Sequence, residues 1–505
     1  MHTIRFPLET GRRKEQVLDK GFRAMGKLHN IMAKEAKKRL RMLRRDKQYR
    51  YCKKMYASAS EDDRGKYAAG MQERIRFYKL TETDFHAYIR IAQHMYRHLV
   101  SSHQAQEEAS RVYAGVEKVL YSNGRDIHFK KTQDILTIAA KSMNGLSYID
   151  PLHTDRYPKK AVRKYPEEVL YHGEHFRVKI DWDDPYVWGS LSHPLRYAQI
   201  ERKMFPSGWR YYVILYLEGD APLKHKGREG TAGLDPGVST EAAVFDDECV
   251  LAELAPKCKD YNRRITQKTR QVERSLRAAN PDNYNPDGTI KKGKRSWTIT
   301  ASCARRKREL KSLCRRKAAY TKQSQEELAD LLTGKANIFL AEEMDWKALQ
   351  KRSKQTAQRR EKASVIAAKD GTEKTVRRFK KKKRFGSSIR DRAPSQFLAI
   401  LGKKCARQGG GIIFINTKAV KASRYDHSTG TCKKVPLSKR IKEVDGHKVQ
   451  RDLYSGFIIR HVQEDGSTVD RDSCIKDFDR FLKAQDECIS RLKTSGGTYP
   501  ACFGF

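Results

Sequence analysis

The chain has 505 residues, enough for several domains with their own cores and too many for one small binding module. Its 105 Lys and Arg stand against 61 Asp and Glu, a net charge of +44 that repels itself unless an anionic polymer neutralises it. Nucleic acid is the natural counterpart. A membrane is not, because no apolar run reaches the length of a span and neither an amphipathic anchor nor a signal peptide is evident, so the expected location is the cytoplasm of a prokaryote, with the nucleoid.

In chain order, Thr3–Phe6 reads as a short strand, within a first segment 1–12. Residues 13–134 are polar, almost free of proline and helical in pattern. At 100° per residue Met32, Ala36, Leu40 and Leu43 share one side of a helix, while Lys34, Lys37, Lys38, Arg41 and Arg45 line the other as a basic stripe suited to phosphates. The same stripe reads equally well as a solvated helix face.

Residues 135–225 turn β-rich: Phe176–Ile180 alternates, and Arg210–Leu217 is β-branched and aromatic after the turn Pro206-Ser207-Gly208. The helical block is therefore expected as an insertion between Thr3–Phe6 and these strands. From 226 to 420 come strands at Thr231–Val238, Ala242–Phe245 and Val250–Leu254, a basic helical stretch at 260–330, a strand Ile338–Glu342, a helix from Pro394 and a strand Gly411–Asn416. The block Lys374–Arg392, with Arg377, Arg378, Arg390 and Arg392, is expected to be a mobile basic loop that contacts substrate; as a run of charge it also reads as plain linker.

Three carboxylates stand at strand or helix ends: Asp235, Glu342 and Asp452. Phosphodiester hydrolysis uses two divalent cations held by hard oxygen ligands, and Mg²⁺ needs only a few carboxylates. Each position has an ordinary alternative. Asp-Pro-Gly is often a turn, and Asp before an apolar helix is often an N-cap. Glu342 is less easily dismissed, since it shares a strand face with Ile338 and Leu340 that is expected to be buried.

The flanks of these residues resemble a known family. Gly233-Leu-Asp-Pro-Gly237 is similar to the first RuvC motif of TnpB proteins and type V CRISPR effectors, Ala341-Glu-Glu-Met-Asp-Trp-Lys-Ala-Leu-Gln350 to the second, and Gln450-Arg-Asp-Leu-Tyr-Ser455 to the third. Asn280–Gly288 with Trp297, Arg392-Ala-Pro394, Gly409-Gly410 and Pro436–Arg440 also resemble TnpB segments. Good resemblance covers 230–462, and the N-terminal half matches only in layout.

The resemblance implies a multidomain α/β protein, in which a helical recognition domain (13–134) interrupts a β-barrel wedge domain (1–12 and 135–225). An RNase H-like RuvC nuclease domain with a mixed sheet follows (226–420, with its third motif at 448–462), and 463–505 is left as a C-terminal tail. It implies a transposon-associated or CRISPR-type, RNA-guided DNA endonuclease. Its partners are a guide RNA and target double-stranded DNA, and Asp235, Glu342 and Asp452 ligate Mg²⁺, two ions in all. Many relatives carry a four-cysteine zinc ribbon before the third motif, whereas 421–447 offers only His427, Cys432 and His447. That spacing is poor for zinc, and the expectation is an insert without metal.

Two other readings stay open. An RNA-guided DNA-binding protein or repressor that does not cut is expected to lack one or more of the carboxylates, and all three are present. A guide-independent transposase or junction resolvase leaves the basic N-terminal half without a client. The sequence does not distinguish a transposon-encoded guide from a CRISPR RNA.

Overall fold

The computed structural model describes residues 1–505 apart from 141–144, 154–166, 224–226, 294, 351–357, 368–372, 380–384, 434, 437–438 and 495–498. Within 358–367 and 373–379 it describes side chains only at Val365, Glu373 and Thr375. The chain forms two compact units, Met1–Lys224 and His225–Phe505.

The first unit opens with strand β1 (His2–Pro7) and continues through helices α1 (Arg12–Arg45), α2 (Lys47–Ser58), α3 (Glu61–Phe77), α4 (Glu82–His94) and α5 (Ser102–Tyr121). Helix α1 buries Leu18, Phe22, Met25, Met32, Ala36, Leu40 and Leu43, a three-and-four spacing that gives one apolar face. The starts of α2, α4 and α5 are fixed by Asp46, by a Thr81/Asp84 capping box and by a Ser101/Gln104 capping box. Then follow β2 (Thr137–Ala139), β3 (Ser147–Tyr148), β4 (Glu168–Tyr171), β5 (Glu174–Arg177), helix α6 (Pro185–Leu191), β6 (Leu195–Phe205) and β7 (Gly208–Leu217).

All of strand β1 pairs antiparallel with the second half of β7, from His2↔Leu217 to Pro7↔Tyr212, so helices α1–α5 lie in sequence between two strands that are neighbours in the sheet. The sheets differ from the closed barrel expected. Among the described residues the strands form a four-stranded sheet, β1-β7-β6-β2, and a three-stranded one, β3-β4-β5, whose members are two to four residues long. Strands this short offer too few ladder bonds to close a barrel.

The second unit contains β8 (Thr231–Pro236), β9 (Thr240–Val244), β10 (Cys249–Glu253), α7 (Cys258–Ala279), α8 (Ala301–Thr333), β11 (Ile338–Glu342), α9 (Trp346–Gln350), β12 (Gln358–Ala367), β13 (Glu373–Phe379), α10 (Gly386–Arg392), α11 (Pro394–Arg407) and β14 (Gly411–Ile415). It ends with α12 (Thr417–Val420), β15 (Tyr425–Asp426), β16 (Thr431–Cys432), β17 (Ile441–Val444), β18 (His447–Gln450), α13 (Arg451–Arg460) and α14 (Arg471–Thr494).

Its central sheet has the order β10-β9-β8-β11-β14; β8 is antiparallel to β9 and parallel to β11, and β11 is parallel to β14. Each face is covered by its own core. Leu234, Ala243, Phe339 and Ala341 pack with Leu332 of α8 and Phe397 and Leu401 of α11; Ala242, Val244 and Leu251 pack with Phe457 of α13 and Phe478 and Phe481 of α14.

Two expectations need correcting here. The basic block Lys374–Arg392 is not one loop: Glu373–Phe379 pairs antiparallel with Gln358–Ala367, and Gly386–Arg392 is helical, while 380–384 lie outside the described residues. The segment 463–505 is not a tail either, because α14 buries Cys474, Phe478, Phe481 and Cys488 in the core shared with α13. Apolar residues at helical spacing along α14 supply the reason.

Candidate active site

Strands β8 and β11 run parallel, so their carboxyl ends share one edge of the sheet. The register Leu340↔Gly233 and Ala341↔Leu234, continued one residue, sets Glu342 beside Asp235. Alternation then puts both carboxylates on the face covered by α13. Helix α13 lies against β8 because glycines meet there: a Cβ at Gly233 would come 2.0 Å from the Gly456 carbonyl oxygen and 2.6 Å from the Arg460 nitrogen. The close approach requires glycine at 233 and brings the N-terminal half of α13, with Asp452 and Ser455, over Asp235.

The electrostatics follow from this convergence. Asp235 is held well above the usual carboxylate range, first by desolvation and then by the charges of Asp452 and Glu342; Ser455 and Arg451 work in the opposite sense. Desolvation also raises Glu342. Carboxylates crowded out of water repel one another, and a bound cation would relieve that repulsion. The donors are hard oxygens, the kind that suits Mg²⁺. Among the described residues, however, no three Asp, Glu, His or Cys side chains form a ready-made metal cage.

The ordinary alternatives for Asp235 and Asp452, a turn and an N-cap, do not hold. Asp235 is inside β8, paired with Ala242, and the turn comes after it. The cap of α13 is Gln450, whose side chain accepts from Leu453 N at 2.7 Å, leaving the Asp452 carboxylate free of capping. Glu342 is the last residue of β11, and Glu343 lies beyond the strand and is exposed. One detail differs from expectation: the deeply buried face of β11 is that of Phe339 and Ala341, while Ile338, Leu340 and Glu342 are half-buried.

Some of the surrounding residues were not legible as functional. Arg440 Nη1 lies 3.4 Å from both Asp452 oxygens; it ends the Pro436–Arg440 segment, whose resemblance was visible but carried no role. Gln485 of α14 accepts from Gln450 N at 2.7 Å and so braces the start of α13, a long-range contact without local signature. Glu241 of β9 is buried with neither carboxylate oxygen hydrogen-bonded, and burial followed by the charge of Asp235 keeps it well above the usual range. A Glu directly before the apolar run Ala242–Val244 is its one local signal.

The basic residues divide. On α1, Lys34, Lys38, Arg41 and Arg45 are exposed, whereas Lys37 binds Asp126 at 2.6 Å and the Ile127 carbonyl at 3.0 Å. Arg390 is exposed beside Asp391 at 3.2 Å. Arg392 is buried, paired with Glu253 and 3.4 Å from Ser388 Oγ, so it holds α10 to β10 and does not belong to a phosphate-binding surface. The side chains of Arg377 and Arg378 lie outside the described residues.

In the insert, His427 is buried, with Nδ1 2.8 Å from the Tyr454 hydroxyl and its ring 4.5 Å from that of Phe478. Cys432 and His447 are exposed on β16 and β18. Lys442 caps the face of the Tyr454 ring at 3.9 Å, and burial pushes its amine down to about 8.

No protein-family model and no curated protein matches the chain. Among solved structures it is similar to a chain of a Cas12f1–sgRNA–target DNA complex, at 11% identity over 88% of this chain and 83% of that one, with a TM-score of 0.47. A CRISPR-Cas12f ternary complex matches at 10% identity over 87% and 81%, TM-score 0.28. A Cas12i complex with crRNA and double-stranded DNA matches at 10% identity over 94% and 65%, TM-score 0.26. At TM-scores below 0.5 these likenesses do not define a shared fold.

Proposed function

We propose that the chain is an RNA-guided DNA endonuclease of the TnpB and compact type V CRISPR effector kind. A guide RNA pairs with one strand of a double-stranded DNA target, the protein reads a short flanking motif, and a RuvC-type site cuts. The observation that supports this best is the meeting of Asp235, Glu342 and Asp452, drawn from three distant motifs, at one edge of a mixed five-stranded sheet suited to an RNase H-like domain.

Asp235, Glu342 and Asp452 would hold two Mg²⁺ ions, which supply an activated water and stabilise the leaving oxygen. The exposed cations Lys34, Lys38, Arg41 and Arg45 of α1, together with Arg390, would contact phosphates of RNA or DNA and add affinity without reading sequence.

The test is to purify the chain, sequence the RNA that accompanies it, and offer a DNA target matching that RNA together with Mg²⁺. One defined RNA species and cutting that disappears on RNase treatment or Mg²⁺ chelation are expected. Heterogeneous RNA, with cutting indifferent to RNase, would sink the guided reading.

A further inference from the structure

Arg202, on β6, is buried with its guanidinium between two rings, 4.1 Å from the Phe22 centroid and 4.3 Å from that of Trp209. Each of its three nitrogens is engaged: Nε donates to the Ile135 carbonyl at 2.9 Å, Nη1 to Asp19 Oδ1 at 3.2 Å and Nη2 to the Thr132 carbonyl. Tyr211 donates to the same Asp19 oxygen at 2.9 Å. The arrangement fixes the Trp209 indole and the Asp19 carboxylate in place before any ligand arrives, which spares a ligand the cost of ordering them.

Asp19, Thr132, Arg202 and Trp209 wall a cavity of about 470 Å³, which Arg23 of α1 and Lys131 also line. That volume lies within the range of small-ligand sites. Arg23 and Lys131 are exposed and make no ion pair among the described residues, and the one carboxylate present, Asp19, already faces Arg202. Two cations are thus left uncompensated at the mouth of a pocket with an aromatic wall. Trp209 also walls a neighbouring cavity of about 440 Å³, so the indole stands between two spaces.

We propose that this pocket takes one unpaired nucleotide of a nucleic-acid strand, its phosphate between Arg23 and Lys131 and its base against Trp209. Asp19, through Oδ2, is placed to accept from an exocyclic amino group. A simple anion would leave the indole unused, and an apolar ligand would leave both cations unused; a nucleotide uses both. A base within a duplex has its faces stacked and its pairing edge occupied, so the strand must be single at this point. The site deepens the reading of a guided nuclease by locating one nucleic-acid contact in the first unit, and its test scores binding without cutting.

The experiment follows tryptophan emission of the full chain, freed of copurifying RNA, on titration with a single-stranded RNA, a single-stranded DNA of the same sequence, and AMP. The chain has five tryptophans, so the Trp209 component is the difference between wild type and Trp209→Phe. Quenching by at least one strand that is missing in Trp209→Phe is expected. The double variant Arg23→Ala/Lys131→Ala, at exposed positions, should bind that strand about tenfold more weakly, with a salt slope smaller by about 0.7, the share of one phosphate on a single strand. Quenching by RNA alone assigns the nucleotide to the guide, and quenching by DNA alone assigns it to a DNA strand. Equal quenching in wild type and Trp209→Phe, or unchanged affinity in the double variant, overturns the proposal. Absence of cutting by wild type would instead remove the nuclease reading and leave the quenching result standing.

Discussion

Arg440 Nη1 sits 3.4 Å from each carboxylate oxygen of Asp452, one guanidinium nitrogen shared between both oxygens of a residue expected to ligate metal. A cation of the protein therefore occupies the neighbourhood that a divalent ion would use. Arg440→Ala should remove about 1 kcal/mol of stability without Mg²⁺, because the carboxylates then repel with less compensation. The loss should shrink when Mg²⁺ is added. Melting curves of wild type and variant, with and without Mg²⁺, check this; a loss identical in both conditions would show that Arg440 and the metal do not share a carboxylate.

Replacing Asp235, Glu342 or Asp452 singly by Ala should lower cutting by more than about a hundredfold while leaving guide and target binding nearly unchanged, since each change removes a metal ligand and spares the phosphate-binding surface. Glu343→Ala is the control. Glu343 lies past the end of β11 and is exposed, so the variant should keep most of its activity. Cutting lost in Glu343→Ala but retained in Glu342→Ala would shift the second motif by one residue.

What was legible and what was not separate along physical lines. Period-two runs such as Arg210–Leu217 and the helical spacing of Met32, Ala36, Leu40 and Leu43 announce themselves locally, and both appear as strand β7 and the buried face of α1. The three carboxylates were found through their flanks, and Gly233 gains its physical reason only once Gly456 is seen against it. Charge without geometry misled: Arg392 looked like part of a phosphate-binding run, yet it is buried against Glu253. Contacts that join distant segments, such as Gln485 to Gln450, have no local pattern to reveal them.

The insert at 421–447, expected to carry no metal, offers another test. His427 is held by Tyr454 at 2.8 Å and by Phe478, and its backbone carbonyl takes Arg471 Nε at 2.7 Å, so α13 and α14 supply the anchoring themselves. Elemental analysis should therefore find well under one zinc per chain. His427→Ala should cost roughly 2–3 kcal/mol, from one lost hydrogen bond and lost ring packing, whether or not a zinc chelator is present. Stoichiometric zinc that disappears in Cys432→Ser would contradict this.

Glu241 gives the last prediction. It pairs with Pro236 across β8 and β9, while Asp235 pairs with Ala242, so its side chain shares the Pro236 face, opposite to Asp235. There it is buried, and neither oxygen has a hydrogen-bond partner. Burial raises its pKa well above 4.5, with Asp235 adding to the shift. The folded chain thus keeps a proton on Glu241 that the unfolded chain releases once the pH passes the ordinary Glu range. With fewer protons bound in the unfolded state, stability falls as pH rises. The contribution is fully present below the unfolded pKa and is lost progressively up to the raised folded value. Glu241→Leu should stabilise the chain at pH 7 by roughly 1–3 kcal/mol, the cost of an unpaired buried polar group. Glu241→Gln, which cannot ionise, should differ from wild type in a pH-dependent way, the gap narrowing toward pH 4. Denaturant titrations of the three proteins between pH 4 and 8 measure this, and a gap that stays constant across the range would show that folding does not raise the pKa of Glu241.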